Sequence, residues 1–177
     1  MKQIIVFLFI IIFFISASKI TASSISGSSA ALVRVYLNND MEDIRVTKMT
    51  YFLLKYNSPL ATHSRLLVEA SDNYELPWTL VASIAGVESG FCKKMAKVSY
   101  NCWGWKNGRH NFNSFEDGIF TVSRNLRSKY FNRGITTPEL MAPIYAPPSK
   151  TWSINVRYYM NLLEIMPSEN YPLQIDL

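Results

Sequence analysis

Trp78-Thr79-Leu80-Val81-Ala82-Ser83-Ile84-Ala85-Gly86-Val87-Glu88-Ser89-Gly90-Phe91 is an apolar run that closes on a carboxylate. Leu80, Ile84 and Val87 fall on one helical face, and Val81 and Ala85 widen the stripe. The spacing therefore predicts a helix, opened by Pro77 at a tolerated first-turn position, with Glu88 at or near its buried end. A carboxyl placed there loses hydration and meets the negative end of the helix dipole, and both effects raise its pKa. A general acid stays protonated near neutral pH by this means. A surface glutamate at a frayed helix end has the same periodicity, and the pattern alone leaves both readings open.

Downstream of Glu88 come Cys92 and the aromatic stretch Asn101-Cys102-Trp103-Gly104-Trp105. Asn107-Gly108 is the favoured centre of a type I′ turn, flanked at every second residue by Trp103 and Trp105 on one side and His110 and Phe112 on the other. The expectation is a small β-hairpin that projects aromatics to one face. If that face is open, Trp103 or Trp105 stacks on a sugar ring; if it is closed, both are core.

The rest of the pattern is helical. Thr47 to Tyr56 reads as a helix stopped by Asn57-Ser58-Pro59, and Thr62 to Tyr74 as a second, with Leu66, Leu67 and Ala70 facing the core. Ser114 caps a further helix, and Asp117 three residues on completes a capping-box-like pattern. Glu116 and Asp117 are the candidates for a second catalytic carboxylate, although a helix start explains both. Ala142-Pro143-Ile144-Tyr145-Ala146-Pro147-Pro148 holds three prolines and is expected as a stiff loop carrying Tyr145 towards the cleft. A last helix runs from about Trp152 to Ile165, with Trp152, Val156, Tyr159, Met160 and Leu163 on one stripe.

At the N-terminus, Ile4 to Ile15 contains no polar residue, a run shorter than the about 20 residues of a membrane span but suited to a secretory signal. Residues 1–22 are thus expected to be a signal peptide or membrane anchor, and the Ser- and Ala-rich residues 23–32 a disordered leader. No cysteine follows the apolar run, which argues against lipid attachment. The 145 residues from Val33 onward suffice for one domain with a hydrophobic core. Between Lys93 and Arg133 nine basic residues face two acids, a field suited to an anionic polymer. For an exported chain that polymer is cell-wall glycan rather than nucleic acid. A solvated basic face without a partner is the plain alternative. Cys92 and Cys102 are the only cysteines, and in an exported protein such a pair is expected to be a disulfide. With only His63 and His110 beside them, they make no metal cluster of usual spacing, so neither metal nor cofactor is expected.

Taken in order, the Trp78–Phe91 series, Asn101-Cys102-Trp103-Gly104-Trp105, Asn113-Ser114-Phe115-Glu116-Asp117-Gly118-Ile119 and Tyr145-Ala146 before Trp152 resemble the bacterial peptidoglycan N-acetylglucosaminidases of glycoside hydrolase family 73. That family belongs to the lysozyme-like group, together with the lytic transglycosylases. The resemblance covers roughly Ala61 to Glu164. It implies a mainly α, lysozyme-like helical domain over residues 33–170, with a small β-hairpin beside a glycan cleft. It implies Glu88 as the catalytic acid and Tyr145 as the tyrosine of a Tyr-Ala motif lining the cleft. Ser89, Trp103, Trp105 and Tyr145 are then the candidate substrate contacts. Trp103-Gly104-Trp105 stands where many relatives have Phe-Gly-Ile. The implied activity is cleavage of β-1,4 bonds in peptidoglycan strands; with the N-terminal apolar run, an exported or envelope-anchored protein is expected, and a monomer. A lytic transglycosylase, a muramidase and a non-catalytic glycan-binding module are the alternatives. Glycoside hydrolysis ordinarily uses two carboxyl groups, yet no Asp or Glu occurs between Gly90 and Phe115.

Overall fold

A computed structural model describes residues 43–95 and 99–167. The expected signal or anchor and the leader lie outside the described residues. No helix among those described is long and apolar enough to cross a membrane.

Six α-helices build the described chain, and no strand occurs among its residues. Helix α1 (Ile44–Lys55) starts where Asp43 accepts the Arg45 N–H and buries Val46, Met49, Phe52 and Leu53 at helical spacing. It stops at Asn57, whose φ of 51° is a left-handed value that asparagine tolerates. A 3₁₀ turn (Pro59–His63), capped by Ser58, leads into α2 (Ser64–Asn73), where Leu67 and Ala70 are fully buried and Leu66 only partly so.

Helix α3 (Leu80–Ser89) differs from its expected amphipathic form. Every residue from Leu80 to Gly86 is buried, so the helix has no solvent face over its first two turns. It runs through the interior and packs on α2, α4 (Phe115–Lys129) and, most extensively, α6 (Trp152–Glu164). A helix apolar all round is a central one.

The end of α3 is a sharp left-handed turn. Gly90, Phe91 and Cys92 all have positive φ (57°, 58° and 68°), and the Phe91 N–H donates to the Ala85 carbonyl. Such φ values are uncommon for the two residues with side chains and are held by what surrounds them. Phe91 is buried among Phe52, Tyr56 and Tyr159, with its ring over Gly86, where a Cβ would lie 2.5 Å from the ring. Cys92 is bonded to Cys102.

The expected hairpin is not formed. The turn itself is present: Asn107 and Gly108 have φ of 56° and 74°, and the Arg109 N–H donates to the Lys106 carbonyl. Lys106, however, also has a positive φ (52°), which bends the chain out of an extended path before the turn. The carbonyls of Trp105 and His110, which a ladder would need, instead accept from the Asn101 side-chain amide. One asparagine thus does the pairing that two strands were expected to do.

The Ser114 hydroxyl accepts the Asp117 N–H to open α4, whose first turn holds Glu116 and Asp117 and whose last turn holds Arg127 and Lys129, matching the dipole at both ends. The expected loop at 142–148 is corrected in part. Helix α5 (Pro138–Tyr145) carries Pro143 inside it, and only residues 146–148 leave the helix. In so short a helix Pro143 removes one internal hydrogen bond, while Thr137 caps the start and Pro138 sits where its missing donor is not needed.

Candidate functional site

Glu88 is the last residue but one of α3, and the left-handed turn after it lets the Trp103–Trp105 segment pass close by. The residue as a whole is exposed, but its carboxyl is crowded. Oε1 accepts a hydrogen bond of 2.7 Å from Nε1 of Trp152, the first residue of α6. Oε2 lies against Gly104, at 2.6 Å from where a Cβ would stand. Any side chain at position 104 would therefore displace the carboxyl, and its φ of 64° independently favours glycine. Dehydration lifts the Glu88 pKa above the ordinary 4.5, against the opposing pull of the Trp152 hydrogen bond.

Tyr145, at the end of α5, closes the other side. Its hydroxyl donates to the Trp103 carbonyl at 2.8 Å, and its ring stacks on Trp152 with centroids 4.9 Å apart and planes 26° apart. Burial of the hydroxyl, then the Glu88 charge and Tyr130, hold its pKa well above the ordinary range, so it remains a neutral donor. Trp105 is half-buried, and the Lys129 ammonium sits 5.3 Å from its ring centre.

An open groove of about 220 Å³ runs past these groups, lined by Gly104, Trp105, Lys106, Lys129, Tyr130 and Tyr145 among others. Glu88 does not itself line it. The carboxyl abuts Gly104 and its charge acts on Tyr145, and both of these residues line the groove.

Two of the expected substrate contacts are placed otherwise. Trp103 is fully buried, with Nε1 donating to the Val81 carbonyl and its ring pressed on Gly118, so it is core and does not share a face with Trp105. Ser89 is buried as well, and its hydroxyl is taken up by the Ala85 and Cys102 carbonyls and the Cys92 N–H. It clasps the disulfide to the end of α3. Asp117 is occupied by the Asn113 backbone and side-chain N–H groups and by Thr121, which together hold its pKa below 3.8. Glu116 is exposed on the first turn of α4.

No protein-family model matches the chain, and no curated protein matches it in sequence. Its chemistry is therefore read from its own side chains. Among the described residues no group of three or more His, Cys, Asp or Glu is arranged to hold a metal ion. Sequence reasoning missed Trp152 as the partner of Glu88, since its place in an apolar stripe marked it only as core. It also missed Asn101 as the brace of the loop and Lys129 as a wall of the groove. Lys129 was counted in the basic stretch from Lys93 to Arg133, whereas nothing about Asn101 in its segment marked it as a brace.

Proposed function

We propose that the chain is a peptidoglycan-cleaving glycosidase of N-acetylglucosaminidase type, with Glu88 as its general acid. The observation that supports this reading best is a carboxyl held by Trp152 and set against Gly104, which is itself a lining residue of the aromatic groove. A protonated Glu88 would donate its proton to the glycosidic oxygen as the bond from that oxygen to the sugar's anomeric carbon breaks. The carbon then needs a nucleophile. Asp117 is committed to its helix start, and Glu116 is not among the residues that line the groove. A single acid suits a substrate that brings its own nucleophile, the acetamido oxygen of the cleaved sugar. Water then opens the resulting ring and returns a proton to the Glu88 carboxylate. Tyr145 and Trp105 would hold the strand, and the Cys92–Cys102 disulfide fits an exported or envelope-bound protein.

Incubation of the purified protein with peptidoglycan, followed by mass analysis of the new sugar ends, tests the proposal. Reducing N-acetylglucosamine is the expected product. Reducing muramic acid would indicate a muramidase and an anhydro end a lytic transglycosylase, while binding without release would indicate a glycan-binding module. Glu88→Gln should lower release by about 10²–10⁴-fold. A Gln variant that cuts at the wild-type rate would remove Glu88 from the reaction.

A further inference from the structure

The groove beside Glu88 is walled by two cations from different elements. Lys106 comes from the loop and Lys129 from the last turn of α4. The helix dipole is sufficient reason for a cation at position 129, but Lys106 is an exposed loop residue without that reason. Three arginines away from the groove are in ion pairs: Arg45 with Asp43 and Asp72, Arg127 with Glu75 and Arg157 with Glu139. Among the described residues neither Lys106 nor Lys129 pairs with a carboxylate, and none of the groove's lining residues is acidic. The Lys129 ammonium is held over the Trp105 ring, beside the surface on which a sugar would lie.

We propose that Lys106 and Lys129 form a carboxylate-reading subsite in the groove, so that the protein selects glycans bearing carboxylates over neutral glycans of the same backbone. The proposal rests on the reading of this groove as a glycan site. A sugar seated against Trp105 would direct an acidic substituent at two cations that have no carboxylate partner, and a neutral chain of N-acetylglucosamine would bring them none. In peptidoglycan the carboxylate can come from the lactyl group of muramic acid or from the stem peptide.

Titration calorimetry on the full chain carrying Glu88→Gln, which suppresses turnover, separates the cases. The three probes are a neutral chito-oligosaccharide, a peptide-free peptidoglycan oligomer and the same oligomer with its stem peptides. The carboxylate-bearing oligomers are expected to bind about tenfold tighter than the neutral one, with the advantage falling as salt is raised. An advantage without the peptide assigns the carboxylate to the sugar, and one seen only with the peptide assigns it to the stem; either supports the subsite. Adding Lys106→Gln and Lys129→Gln together should erase the advantage, the three probes then binding alike, whereas Lys129→Arg should keep it. If the double variant melts early, Lys106→Gln alone carries the same test. Equal binding of all three oligomers, or an advantage that survives loss of the lysines, overturns the subsite while the glycan site stands. A chain that binds none of the three overturns both.

Discussion

Glu88 is held in a place that favours its neutral form, and that has a consequence for stability. Its folded pKa is raised, so the stability it contributes is complete below the ordinary 4.5 and is lost as pH rises through the folded value. Glutamine cannot ionise, and its Oε1 can still accept from Trp152. The Glu88→Gln protein is therefore expected to melt with the wild type in acid and above it at about pH 8. Melting curves at both pH values check this, and a Gln variant that melts lower at the alkaline one would contradict the dehydration. The position of Glu88 was legible in the sequence because an apolar helical run ended on it. What dehydrates it was not, since Trp152 and Gly104 arrive from other parts of the chain and no local spacing announces them.

Among elements, α4 shows how a tempting carboxylate is absorbed by helix formation. Asp117 accepts from Asn113 and Thr121 across the helix start, so Asp117→Ala is expected to cost about 1 kcal/mol of stability, within the range for lost caps. Because its folded pKa is lowered, that contribution exists above 3.8 and fades as pH falls through the folded value. Cleavage per folded molecule should be unchanged. Urea titration alongside a peptidoglycan release assay measures both, and a loss of cleavage without a loss of stability would restore Asp117 as a catalytic group. The loop after Cys92 was legible only in its turn. Asn107-Gly108 adopts the positive φ angles its composition asks for, but the strands failed because Lys106 bends and Asn101 takes the carbonyls. Side-chain capture of backbone partners leaves no periodic trace. Pro143 misled for the opposite reason, since a rule about interior prolines is weak in a helix of 8 residues.

For the whole molecule, a mainly helical fold was readable because apolar stripes, caps and stop signals together marked five helical stretches, whereas the centrality of α3 was not, since one helix's burial depends on how many others surround it. The two tryptophans of Trp103-Gly104-Trp105 show the difference between core and groove most directly. Trp103→Ala should cost about 3–5 kcal/mol, a large share of the about 5–15 kcal/mol that holds a typical domain together. Trp105→Ala should leave melting nearly unchanged and weaken peptidoglycan pull-down. Equal losses of melting temperature in both variants would place Trp105 in the core as well. The contacts around the acid also close on themselves. Glu88 accepts from Trp152, Trp152 stacks on Tyr145, Tyr145 donates to the Trp103 carbonyl, and the next residue, Gly104, abuts Glu88 again. A closed circuit tolerates faults differently from a line. Opening it at one link leaves the carboxyl located from the remaining side, and only a second break sets it adrift, so damage here is expected to compound rather than add.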